Sequence, residues 1–439
     1  MQNLSRFLMV IGLALALNAQ AHGPAENRPS EAHAIEFPDT ATHRTLVLDL
    51  HTHSVFSDGH VWPSVRVAEA IRDNIDGLAI TEHLEYQPHI ADIPHPDRNR
   101  AFEEAKRSAG AGSELTIIPG VEITRQDATG HINAVFVKDA NPLVKQATEF
   151  KVAQEHYFET KAEAEALAAS AAPWLRAAHA VEVDGKTVWV PFESPELYLA
   201  MANYQYASTY DAMEVLRSAS KQGAFTFWNH PNFASSAAPL NDFHAEAVKE
   251  GILQGIEIAN GDHYYRNAHR LALKHDLVMI GVSDVHELIA WDYDHDAGEA
   301  AGHRPVTLVF AEEDSLEAMR EALFAKRTVV WWKNTLMGRK PELDALLAAS
   351  IEVTEMSMYR EDVVMHVYNH SDARYILNNG SGEHLTAHAR NIELAPHAET
   401  KIRLRMDKPD FDIAMTFEVT NALLTPDQAA TITLQHNEQ

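Results

Sequence analysis

The sequence predicts an α/β barrel followed by a small antiparallel β-sandwich. Three observations carry this. From residue 45 to about 334, continuous apolar runs alternate with stretches of helical spacing. Clusters of His, Asp and Glu stand at the ends of several of those runs, where the strands of a barrel converge on one mouth. After about residue 341 the pattern becomes short runs of strict alternation separated by turn residues.

The chain has 439 residues, enough for two or three domains. Residues 1–21 read as a secretory signal. Arg6 supplies the positive start, residues 7–17 an apolar core too short to span a bilayer, and Ala19-Gln20-Ala21 a small-residue cleavage site. The expected location is therefore periplasmic or secreted. Residues 22–44 are polar and aperiodic and read as a flexible leader. There is no cysteine, which excludes disulfides and thiolate ligands; any metal site must use His nitrogen and carboxylate oxygen. The net charge of −27 disfavours long nucleic acids as partners. A small phosphorylated substrate is easier to accept, because bound cations reverse the charge locally.

Strands are expected at 45–50, 77–81, 116–122, 132–137, 224–228, 255–259 and 277–282, and a helix at 63–74 with Pro63 in its first turn. The runs are continuous rather than alternating, as parallel strands covered on both faces require. Residues 139–222 interrupt the rhythm with an Ala- and Glu-rich helical stretch, a hairpin around Asp184-Gly185 and an aromatic segment. This insertion is compatible with a lid or with an elaboration of the wall. The domain of about 345–439 is expected to be the sandwich, with strands near 350–357, 363–368, 401–406, 413–419 and 430–434.

The chemistry lies in five islands. Asp49-Leu50-His51-Thr52-His53 leads to Ser57-Asp58-Gly59; Thr81-Glu82-His83, Gly120-Val121-Glu122, Asn229-His230-Pro231 and Ser283-Asp284-Val285-His286 follow. Residues i and i+2 of a strand share a face, so His51 and His53 can aim two imidazoles at one ion, and Asp284 and His286 repeat the arrangement. These pieces, with Gly130-His131, resemble the polymerase and histidinol phosphatase family, the PHP domain, in the family's order over roughly residues 45–335. The layout is similar to a secreted phosphoesterase branch of it.

The resemblance implies a distorted (β/α)7 TIM-like barrel holding two or three divalent ions. It implies one ion on His51, His53, Glu122 and Asp284, a second on Glu122, His131 and His230, and a third on Asp58, His83 and His286. Zn²⁺ comes first, with Mn²⁺ or Fe²⁺ as alternatives for such donors. The catalytic group is then a metal-activated hydroxide, since two ions ~3.5–4 Å apart can clamp the attacking and leaving oxygens of a phosphoryl transfer. Arg125 and Arg304 are candidate phosphate contacts, against a plain salt bridge for each. Asp49 and Glu82 are expected to orient imidazoles, and Asn260 to line the mouth. The expected function is hydrolysis of small phosphomonoesters. Cleavage of short oligonucleotides or cyclic diesters, and a non-catalytic metal- or ligand-binding role, are the alternatives.

Overall fold

The computed structural model describes residues 34–145, 158–171, 178–190, 200, 203–204, 206–231, 238–293 and 302–436, except 91, 94, 126, 184, 381–383, 387–389, 407 and 409. The signal and most of the leader, at residues 1–33, lie outside them, as do much of the insertion and its aromatic segment.

The elements run β1 (Arg44–Asp49), α1 (Pro63–Arg72), β2 (Gly77–Ile80), α2 (Arg100–Ala109), β3 (Thr116–Thr124) and β4 (His131–Val135). The insertion contributes α3 (Lys161–Ala171) and the hairpin β5 (His179–Val183) and β6 (Lys186–Val190). Then come α4 (Ala212–Lys221), β7 (Phe225–Trp228), α5 (Asp242–Lys249), β8 (Gly255–Asn260), β9 (His263–Tyr264), α6 (Arg266–Lys274) and β10 (Val278–Val282). The domain closes with α7 (Ile289–Asp292), β11 (Val306–Ala311), α8 (Leu316–Phe324), β12 (Thr328–Trp332), β13 (Thr335–Gly338) and α9 (Lys340–Ser350).

The expectation of an all-parallel sheet is corrected: the central sheet is mixed, in the order β10-β8-β7-β4-β3-β2-β1-β11-β12-β13. β1, β2 and β3 are parallel, as are β7, β8 and β10, but β4 is antiparallel to both its neighbours. Only residues 125–130 join β3 to β4, too few for the crossover that a parallel pair needs. β11 likewise runs antiparallel to β1.

Two isolated parallel bridges extend the sheet past its strand ends, and both lie at ligand islands. His83 bridges Glu122, and Thr52 bridges Val285. The second joins the ends of β1 and β10, with Asp284 N donating to His51 O at 2.9 Å and His53 N to Val285 O at 3.1 Å. Gly281 permits the packing behind this contact: a Cβ there would lie 2.4 Å from Val330 Cγ1 on β12.

The C-terminal region forms β14 (Ile351–Tyr359), β15 (Asp362–Asn369), β16 (Tyr375–Asn378), β17 (Asn391–Leu394), β18 (Glu399–Arg405), β19 (Met415–Thr425) and β20 (Gln428–Leu434). β14-β15-β18 is one antiparallel sheet; β20, β19, β16 and β17 make the other. Val363, Met365, Val367, Ile402 and Leu404 of the first share a core with Leu377, Phe417 and Val419 of the second.

This region is fused to the first rather than tethered. β13 pairs in parallel with β19, Leu336 opposite Ala422, and the core continues to Val47 and Leu78. The end of the expected leader is also docked. Ile35 is buried and its N–H donates to Asp73 O at 3.0 Å, while Phe37 meets the edge of Trp331 at 5.1 Å. Those two apolar side chains, with hydrogen bonds between Glu36 and Asp372, hold an otherwise polar stretch to the surface. Among the described residues no helix is long and apolar enough to cross a membrane.

Candidate metal centre

The nine expected ligands come from six separate chain segments, and the fold brings all nine together. His51 and His53 follow β1 on the same face, with their Nε2 atoms 3.0 Å apart. Asp284 Oδ1 lies 3.2 Å from the first and 3.3 Å from the second. Glu122, on β3, sits 3.5 and 3.6 Å from the same two nitrogens. It also reaches His131 Nδ1 at 3.1 Å, His230 Nε2 at 3.4 Å and His83 Nδ1 at 2.6 Å. Asp58 faces His83 Nε2 and His286 Nε2, each at 3.2 Å.

Three groups have donor atoms close enough to hold an ion: His53, Asp58, His83 and His286; His51, His53 and Asp284; and His83, Glu122 and His131. These differ from the expected sets in detail. His53 and His83 each take part in two groups, and His230 falls in none of them, its Nε2 lying 3.4 Å from Glu122 and 3.8 Å from Asp284. The side chains of His51, His53 and Glu122 are fully covered, whereas His131, His230 and His286 are 23%, 30% and 34% exposed. The centre therefore opens to solvent on the side of these last three.

Electrostatics follow from the crowding of carboxylates. Burial opposes charge on every group here. Even so, the charges of Asp284, Glu122 and Glu257 hold His51 well above its ordinary pKa, and Glu122 and Asp58 do the same for His83. His230 is raised to about 9 against burial by its contact with Glu122 and by nearby Asp284. His53 goes the other way, to about 4, because burial and the neighbouring His286 and His83 outweigh its acidic partners. Glu122, Asp58 and Asp284 are held well below the carboxylate range by the imidazoles, despite burial. Raised imidazoles and ionised carboxylates both express a surplus of negative charge, which divalent cations would neutralise.

The residues fit such ions. Two Nε2 atoms at 3.0 Å can share one proton at most, so at least one lone pair points into the centre. Asp58 Oδ1 and Glu122 Oε2 are buried with no well-aligned hydrogen bond, although His286 Nε2 and His83 Nδ1 lie 3.2 and 2.6 Å from them. His83 Nδ1, which nears Glu122 Oε2, is engaged by Thr124 Oγ1 at 2.6 Å. The donors are all N and O, and too many for one tetrahedral ion. Two ligands also sit on strained backbone: His230 has φ 24° and Asp284 φ 52°. Such conformations cluster at functional sites and persist only where their surroundings enforce them.

The supporting groups are partly those expected. Glu82 accepts from Ser54 N at 3.1 Å and from the hydroxyls of Ser54 and Ser57, and Ser57 Oγ lies 3.2 Å from His53 Nδ1. It thus acts on an imidazole through a serine. Asp49 accepts from Ser283 N and Oγ, at 3.1 and 2.6 Å, and so steadies the Asp284 turn rather than an imidazole. Asn260 is buried and bridges Asp284 to Glu257, at 3.0 and 2.8 Å, rather than lining the mouth.

Both expected phosphate contacts are engaged elsewhere. Arg304 is 1% exposed and pairs with Asp73 at 2.5 Å and Asp49 at 3.2 Å. Arg125 is buried against Glu85 and donates to the carbonyls of Thr124 and Tyr210, each at 2.9 Å. A buried guanidinium requires such partners, and here they favour the plain salt bridge for each.

Glu257 is not among the expected residues. Its carboxylate accepts from His51 Nδ1 at 2.8 Å. The signal was present: an acidic residue between Ile256 and Ile258 in a wholly buried strand must be paired. Asn133 was missed as well; with Asn229 it forms an amide pair at 2.9 Å, from which Asn229 Nδ2 reaches Glu122 Oε1 at 2.7 Å.

Comparison with known proteins agrees with this geometry. The PHP domain pattern matches residues 49–276, and an Ig-like domain pattern matches residues 351–435. The 5'-3' exoribonuclease Rnm of Salmonella typhimurium is 34% identical over 106 residues, 24% of this chain, and that of Escherichia coli is 33% identical over 105 residues. The match spans about a third of those relatives' length, 32% in each. A two-domain protein from Bacteroides vulgatus, containing a predicted PHP-like metal-dependent phosphoesterase, has a crystal structure that superposes with a TM-score of 0.71 at 32% identity. That likeness covers 94% of this chain and 99% of the other. With the pattern spanning just over half of its length and this likeness running almost end to end, the chain belongs to the PHP domain family.

Proposed function

We propose that this metal-dependent phosphoesterase is exported and hydrolyses small phosphomonoesters, using two or three divalent ions with Zn²⁺ first among them. The observation that carries this is the convergence of nine N and O ligands around Glu122, whose carboxylate stands among His51, His53, His83, His131 and His230. Divalent ions held there would polarise a phosphoryl oxygen and lower the pKa of a water molecule.

The chain's own part is to present those donors and to orient them. His131, His230 and His286 form the open side from which an ester approaches. Asn229 and Thr124 hold Glu122 and His83 in place. With Arg125 and Arg304 engaged elsewhere, phosphate recognition falls to the ions. The acidity of the chain opposes long polyanions, which supports a small substrate. The meeting of the β1 and β10 ends at Thr52 and Val285 supports reading the sheet as a distorted seven-stranded barrel. The apolar segment at residues 7–17, with Ala19-Gln20-Ala21 after it, supports export.

The likeness to the exoribonucleases favours a second reading, cleavage of short oligonucleotides. Phosphate release by the zinc- or manganese-loaded chain separates the two, with mononucleotides, sugar phosphates, a cyclic nucleotide and a short oligonucleotide as substrates. Turnover of monoesters alone supports the first reading. Shortening of the oligonucleotide without monoester turnover replaces it with the second.

A further inference from the structure

Glu257 lies on β8 with no exposed surface, and its two oxygens serve three parts of the centre. Oε1 accepts from His51 Nδ1 at 2.8 Å. Oε2 accepts from the backbone N–H of His230 at 2.5 Å and from Asn260 Nδ2 at 2.8 Å. Asn260 Nδ2 also donates to Asp284 Oδ2 at 3.0 Å. His230 and Asp284 are the two ligands on strained backbone, and Glu257 holds one directly and the other through Asn260.

We propose that Glu257 is a positioning residue that governs metal capture on the His51, His230 and Asp284 side of the centre. By accepting from Nδ1 it keeps the His51 proton there and leaves the Nε2 lone pair facing His53 and Asp284. By accepting from the His230 N–H it satisfies a backbone donor at that strained turn. The other side has its own supports: Thr124 on His83, the Asp284 carbonyl on His286, and Glu82 acting through Ser57 on His53. Loss of Glu257 is therefore selective. This inference rests on the metal reading above.

Glu257→Gln keeps the shape but replaces one acceptor with a donor. Whichever way the amide turns, a donor meets either His51 Nδ1–H or the His230 N–H. The test measures Zn²⁺ affinity by competition with a chromophoric chelator, and zinc content after dialysis, for the full chain, E257Q, Asp58→Ala and the double variant. Circular dichroism of the metal-free forms controls for folding. E257Q is expected to fold and to bind the zinc of its side on the order of 10- to 100-fold more weakly. Asp58→Ala is expected to lose a different increment, and the double variant to lose both.

A folded E257Q with unchanged zinc content and affinity overturns the proposal. So does a double variant no worse than Asp58→Ala. A parent chain that binds none of Zn²⁺, Mn²⁺ and Fe²⁺ overturns the metal reading itself, a result distinct from either. Should E257Q fail to fold, Asn260→Ala asks the same question by cutting the link to Asp284, and unchanged affinity there is equally fatal.

Discussion

The Nε2 atoms of His51 and His53 face each other across 3.0 Å, with both side chains buried. Two lone pairs in that position repel unless a proton or a cation lies between them. A ligand that binds only the folded chain stabilises it by mass action, about 2.7 kcal/mol at a hundredfold excess over Kd. Saturating Zn²⁺ should therefore raise the thermal midpoint, and EDTA should reverse the gain. Superimposable melts in zinc and in EDTA would argue against a metal centre.

Glu122 touches five imidazoles, so no other carboxylate in the centre is as widely shared. Glu122→Ala should abolish hydrolysis while the metal-free chain keeps its circular dichroism spectrum. An active Glu122→Ala variant would refute the central position given to this residue.

Arg304 predicts a stability effect with no kinetic signature. Its removal takes the buried guanidinium from Asp73 and Asp49, leaving Asp73 with Arg72 and Asp49 with Ser283, and breaking a buried pair costs about 3–5 kcal/mol. Urea unfolding of Arg304→Met should show a lowered midpoint, while KM at a temperature where the variant is folded stays that of the parent. A raised KM with unchanged stability would return Arg304 to the substrate.

Acid stability should depend on His244. Burial against the Trp228 ring, stacked at 3.8 Å, pushes it down to about 4. In the unfolded chain the same ring takes a proton near its ordinary value of about 6.5. Below that pH the unfolded state binds more protons, so stability is full above about 6.5 and is lost as pH falls toward 4. At about 1.4 kcal/mol per pH unit the loss is about 3 kcal/mol. His269, also buried and lowered to about 4, adds a similar share. Stability measured against pH should fall less steeply in His244→Phe between these limits; an identical slope would remove His244 as a source.

Metal uptake should improve with pH. His51, His83 and His230 must give up protons before they can ligate, and His230 holds its proton to about 9 in the metal-free chain. Apparent zinc affinity should rise from pH 6 toward 9, with proton release seen by calorimetry in buffers of different ionisation enthalpy. Affinity flat across this range would contradict the electrostatics of the centre.

The ligands were legible because strand geometry is local. His51-Thr52-His53 and Asp284-Val285-His286 announce themselves through the two-residue period, and the apolar runs before them locate the strand ends. The strands of the C-terminal region were legible for the same reason, from alternation in segments such as Lys401–Met406. Their fusion to the first domain through Leu336 and Ala422 was not, because ladder pairing across such a separation leaves no local trace. Nor was the antiparallel course of β4: its residues 132–135 are all buried, as in a strand covered on both faces, and only the short link from Thr124 to His131 hinted at a hairpin.

The amino-acid sequence by itself thus determined which residue types could bind metal, that thiolates could not, and roughly where the strands would end. Tertiary structure alone decided which cations and carboxylates meet. Arg125 and Arg304 look equally available for phosphate in the sequence, yet each is committed to a buried acid. Glu257 looks like an interruption of a strand, yet it stands behind His51, distant from it in the chain. The reason is that buried charge must be paired, and the fold, not the local pattern, chooses the partner.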